Sequence, residues 1–101
     1  MTVRFLEVAR AELREAVRYY ESQGAGLGAD FLLEVTAAVE RITEFPVAWQ
    51  RVDVELRRCQ LGRFPYGLVY AEEGNGILIV AVAHLHRRPE SWQGRLRRRN
   101  N

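Results

Sequence analysis

The sequence predicts an α+β domain in the order β-α-α-β-β-β, with a helical hairpin packed on a curved, mainly antiparallel sheet. Three observations carry this. Apolar residues recur at helical spacing in two successive stretches joined by a glycine-rich link. Beyond Pro46 the pattern becomes strand-like in three short runs. The breaks between those runs are short and hold hairpin residues.

Thr2-Val3-Arg4-Phe5-Leu6 alternates polar and apolar side chains and reads as a short opening strand. From about Glu7 the period changes: Ala9, Leu13, Ala16, Val17 and Tyr20 fall on one helical face. Arg10, Arg14 and Arg18, among glutamates, make a solvated face of mixed charge. Ser22 to Gly28, with glycine at 24, 26 and 28, reads as the hairpin link. It lacks the preceding strand and the Gly-Lys-Ser/Thr ending of a phosphate loop. A second helix is expected from about Ala29 to Glu44, burying Phe31, Val35, Ala38, Val39 and Ile42. Asp30 suits the positive end of its dipole, and Pro46 stops it. A connection holding Trp49 and Arg51 leads to strands at Glu55 to Leu61, Tyr66 to Glu72 and Ile77 to His84. Asn75-Gly76 is a strong hairpin signal between the last two. The run Ile77 to Ala83 is apolar throughout, as expected of a strand covered on both faces. A weak helix or tail follows Pro89, arginine-rich over residues 94–101.

At 101 residues the chain has room for one domain, residues 1–101, and its 48% hydrophobic content suits a globular fold. No apolar run is long enough to span a bilayer, and the charged N-terminal segment does not resemble a secretory signal. A single cysteine, Cys59, forms no internal disulfide. The expected setting is the cytoplasm, with no membrane role. All fifteen basic residues are arginine. The halves differ in charge: residues 1–50 carry five arginines against eight acids, and residues 51–101 carry ten against five. The C-terminal half is therefore expected to meet something anionic.

Candidate binding residues concentrate in that half. Arg57 and Arg58 on the first hairpin strand, Arg63 in its turn, and Arg87 and Arg88 past the last strand offer guanidinium groups to carboxylate or phosphate. Tyr66 and Tyr70 share a face with Leu68, where they read first as core residues and second as stacking groups. His84 and His86 lie on one side of an extended segment and are candidate acid/base or phosphate-contacting groups. With no third histidine, no metal site is expected, and nothing in the sequence asks for a cofactor. Trp92 is expected to pack the tail onto the sheet, with stacking as its other use.

The stretch Ala11-Glu12-Leu13-Arg14-Glu15-Ala16-Val17-Arg18-Tyr19-Tyr20-Glu21, then Gly26-Leu27-Gly28, Phe31, Ile42 to Pro46 and Trp49, follows a recognisable order. Arg57-Arg58 to Leu61, Arg63-Phe64-Pro65-Tyr66 to Tyr70, Ile79 to Val82, His84, Arg87 and Trp92 continue it. Together they resemble the RelE/ParE toxin superfamily over nearly the whole chain. The resemblance implies a toxin of a type II toxin–antitoxin pair, neutralised in a hetero-oligomer by a small antitoxin whose C-terminal segment wraps the toxin. RelE-like members cleave messenger RNA on the ribosome without a metal; ParE-like members poison DNA gyrase. The lack of lysine, Trp92 in place of a C-terminal tyrosine, and the long helical hairpin favour the ParE-like branch. On that reading Arg57, Arg58, Arg63, Tyr66, Tyr70, His84, His86, Arg87, Arg88 and Trp92 face the target or the antitoxin. In the nuclease alternative Arg63, His84 and Arg87 would form the catalytic group.

Overall fold

A computed structural model describes residues 1–98. The elements are β1 (Thr2–Phe5), α1 (Glu7–Gln23), α2 (Leu27–Glu44), β2 (Gln50–Asp53), β3 (Leu56–Gln60), β4 (Tyr66–Glu73) and β5 (Gly76–His84). A 3₁₀ turn at Pro89–Ser91 and a single helical turn, α3 (Arg95–Arg98), complete the described chain. The expected order and α+β class hold, with one strand more than the sequence suggested. That strand, β2, is short and half-exposed, and pairs antiparallel to β3 through Gln50↔Arg58 and Arg51↔Arg57.

The sheet runs β1-β5-β4-β3-β2, antiparallel except for the parallel β1–β5 pair. The apolar strand β5 therefore lies inside the sheet, as its composition requires. The turn before it is Gly74-Asn75, one residue earlier than the Asn-Gly signal, with Glu73 paired to Gly76. Gly74 has φ 59° and Asn75 is not left-handed, the pattern of a turn that demands glycine at its first central position. The link between the helices is shorter than expected, because α1 continues to Gln23 and α2 already begins at Leu27.

Two apolar layers hold the molecule together. On one face α1 and α2 bring Ala9, Ala16, Phe31, Val35, Ala38 and Ile42 onto Cys59, Leu68, Tyr70, Ile79 and Val82. The alanines and Gly28 let the helices approach closely: a Cβ at Gly28 would stand 2.8 Å from the Val17 carbonyl oxygen. Tyr20, Phe31, Phe64 and Tyr66 close one end of this layer, with ring centroids 4.7–6.0 Å apart and mostly edge-on. On the opposite face Leu56, Val69, Ala71, Leu78, Val80, Ala81 and Ala83 are buried under Trp92 and Leu96 of the tail. Each such large side chain contributes about 1.5–3 kcal/mol through burial. The chain thus covers both faces of β5 with its own elements.

Candidate functional site

The site grows from an irregularity in β5. Val69 pairs with Ala81 and Tyr70 with Ile79, so Val80 is an extra residue in β5, a β-bulge. The bulge turns both Val80 and Ala81 toward the tail face. It also falls where β1 has ended, since the β1–β5 pairing stops at Phe5↔Ile79. Beyond that point the backbone of β5 must find other partners.

It finds them in side chains. The Glu12 carboxylate on α1 accepts the Val82 N–H at 3.1 Å, and Arg95 Nη1 donates to the Val80 carbonyl at 2.9 Å. The same guanidinium clasps both Glu12 oxygens at 2.9 Å. Arg87 donates to Glu12 Oε2 at 2.7 Å. Glu12 and Arg95 are mostly buried, so these are charge-assisted bonds in a partly dry setting. One carboxylate thereby joins α1, β5, the segment after β5 and the tail helix.

Beside this junction lies a groove of about 320 Å³ lined by Glu12, Glu15, Tyr19, Tyr20, Tyr66, His84 and Arg87, among others. His84 stands edge-on to Tyr66 with centroids 5.3 Å apart, and His86 lies 5.3 Å from His84. His84 Nδ1 accepts the His86 N–H at 3.1 Å, which leaves the proton of the neutral imidazole on Nε2. Burial pushes the Tyr20 and Tyr66 phenols above their ordinary range, with Arg87 pulling Tyr66 partly back. Both therefore remain hydrogen-bond donors at neutral pH.

The groove gathers Tyr66, His84 and Arg87 from the expected residues, with His86 adjoining. The others lie elsewhere. Arg63 is outside the groove, 3.4 Å from Asp30 and with its guanidinium 5.5 Å from the Phe64 ring centre. Arg57 and Arg58 are on opposite faces of β3, because Arg57 pairs with Tyr70 and Arg58 with Val69. Arg57 donates to the Trp49 carbonyl at 2.9 Å, and Arg58 lies across Gly67. Arg88 is exposed ahead of the 3₁₀ turn. Two expectations of a partner-facing role are corrected: Tyr70 and Trp92 are only 1% and 3% exposed. Tyr70 donates to the Pro46 carbonyl at 2.5 Å, and Trp92 forms the lid of the second apolar layer. Arg99, the last arginine of the expected tail, lies outside the described residues.

Glu12 and Arg95 were missed as key residues. Glu12 had a signal: it sits three residues after Ala9 and four before Ala16, on the buried stripe of α1. A carboxylate there needs a partner. Arg95 had no local signal, because its partner is 83 residues away. Among the described residues no three His, Cys, Asp or Glu side chains group as metal ligands. No described helix is long and apolar enough to cross a membrane.

Comparison with known proteins adds the family. The model of the ParE toxin of type II toxin-antitoxin system, parDE, matches residues 3–89. A chain of the chromosomal ParDE TA system from P. aeruginosa shares the fold, with TM-score 0.60 and 18% sequence identity over 83% of this chain and 95% of that chain. No curated protein matches in sequence.

Proposed function

Because the chain belongs to the ParE toxin family of type II toxin–antitoxin systems, we propose that it arrests growth by binding DNA gyrase, without cutting nucleic acid, and that a cognate antitoxin neutralises it in the cytoplasm. The observation that carries the choice of binding over cleavage is the state of Arg87. Its guanidinium is held by Glu12 at 2.7 Å, while Arg63 stands apart beside Asp30. A phosphoryl-transfer centre needs convergent cations directed at the phosphate. Here the cation that shares the groove with His84, Arg87, is already directed at a carboxylate of the fold. The position that could have supplied a second ionisable group, residue 92, is a buried tryptophan.

The nuclease reading draws support from one feature, the meeting of Tyr66, His84 and Arg87 in a single groove. Purified toxin added to a gyrase supercoiling assay and to a translation extract separates the two. Inhibited supercoiling with intact transcripts is the expected result. Transcript cleavage that is lost in His84→Ala and Arg87→Ala would reverse the assignment. Expression of the chain alone should arrest a bacterial host, and co-expression of the protein encoded by the neighbouring reading frame should restore growth.

A further inference from the structure

Helix α1 buries Ala9 and Ala16 on one side, and its outer side carries exposed arginine at every fourth position: Arg10, Arg14 and Arg18. Four residues make slightly more than one turn, so the three stems form a row about 12 Å long, each about 6 Å beyond the last. At its start the row opens into a groove of about 920 Å³ beside β1, whose lining includes Arg4, Arg10 and Arg98. All three are exposed.

The sequence reads this face as one of mixed charge, but the fold separates the signs. Glu12 is taken by Arg87 and Arg95, Glu15 lines the groove at His84, and Glu21 accepts the N–H groups of Gly26 and Gly28. Glu7 reaches Arg10 only at 3.9 Å, with both side chains open to solvent. Such a pair contributes little and yields easily to a better-placed anion. Arg14 and Arg18 form no ion pair with a described carboxylate.

The rest of this face decides which anion it suits. A protein partner asks for an apolar centre with aromatic anchors. A single strand of nucleic acid asks for aromatic platforms on which its bases stack. The row offers neither: the exposed large hydrophobic residues of α1 are Val8 and Tyr19, and Tyr19 packs edge-on to Tyr20 and lines the groove at His84. Evenly spaced guanidinium groups match a ligand whose charges repeat along a line and whose bases are turned inward. We propose that the Arg10, Arg14 and Arg18 row, continued by Arg4 and Arg98, binds the phosphate backbone of double-stranded DNA. Contacts to phosphate fix position without reading sequence. This contact is separate from gyrase binding and does not depend on it.

Fluorescence anisotropy of the full chain with a labelled DNA duplex of about 20 base pairs and arbitrary sequence tests this, and the logarithm of the affinity should fall with the logarithm of salt at a slope of roughly −4. Arg14→Gln/Arg18→Gln keeps helix propensity, and its melting temperature checks the fold. It should weaken binding at least about tenfold at low salt and reduce the slope by about 2. Arg51→Gln/Arg97→Gln removes the same charge from β2 and from the far side of the tail helix, and should leave the slope unchanged. An equal loss in this second variant overturns the row as the site and leaves only net charge. Tighter binding of a single strand, or equal binding of polyglutamate, overturns the choice of duplex DNA. Binding that does not respond to salt, or no binding, overturns the inference altogether. Inhibition of supercoiling is read in a separate assay, so the gyrase reading stands or falls without this result.

Discussion

Glu12 bonds at once to β5, to Arg87 and to Arg95, so its removal should be felt well beyond α1. Glu12→Ala would leave the Val82 N–H without its acceptor and the Arg95 guanidinium with the Val80 carbonyl but no carboxylate, at a cost of about 2–4 kcal/mol in urea unfolding. Replacing Glu12 and Arg95 together by methionine should cost less than the two single losses combined, which a double-mutant cycle would measure. Tyr70 makes a second prediction. Burial, the largest influence on it, pushes the phenol from 10.0 up to about 12. The unfolded chain then releases this proton before the native one does, so alkali favours unfolding. Below pH 10 the phenol keeps its proton in both states and adds no pH dependence to stability. Between pH 10 and about 12 wild type should lose roughly 1.4 kcal/mol per pH unit through this residue. Tyr70→Phe should flatten that part of the pH–stability curve, while losing about 1 kcal/mol at neutral pH with the bond to Pro46. Legibility at this scale was uneven for a physical reason. Tyr66, Leu68 and Tyr70 were correctly placed on one face because strand periodicity is local. Whether Tyr70 met solvent or Pro46 depended on a loop 24 residues away.

Among the elements, the helical hairpin depends on contacts that small residues permit. Glu21, near the end of α1, accepts the backbone N–H groups of Gly26 and Gly28 and so caps α2 from a neighbouring helix. Glu21→Ala should cost about 1 kcal/mol, read from the urea midpoint. Gly28→Ala should be worse, by about 1–3 kcal/mol, since its methyl would meet the backbone of α1 and force the helices apart. Both helices were legible because their apolar stripes are long. Strand β2 was not, because four residues of sequence Gln-Arg-Val-Asp carry no alternation and owe their conformation to β3. The turn between β4 and β5 was found, but one residue late. Gly74-Asn75 and Asn75-Gly76 are both good turn pairs, and the pairing of Glu73 with Gly76 selects the former.

For the molecule as a whole, the tail belongs to the core. Trp92 is the one large aromatic residue of the second apolar layer, and Arg95 ties the segment behind it to Glu12. Trp92→Ala should cost about 3–5 kcal/mol, a large share of the stability of a domain this size, and would lower the melting temperature accordingly. The sequence's charge asymmetry takes a definite form here. Arg87 and Arg95 of the basic half close the fold through Glu12, whereas the arginines beside β1 come from both halves. Class, element order and the interior position of β5 could all be read in advance from patterns within short windows. The groove at β1 could not, because it joins residues from the first ten positions to residues past 94. That same joining sets a timetable. Residues 2–5 cannot complete their pairing until residues 76–79 exist, and Glu12 waits longer still for Arg95. At about 5–20 residues per second, roughly 4–15 s of synthesis separate the first strand from its neighbour. The fold is therefore closed only once Arg95 has been made, and β1 waits without its neighbour in the sheet for most of that time.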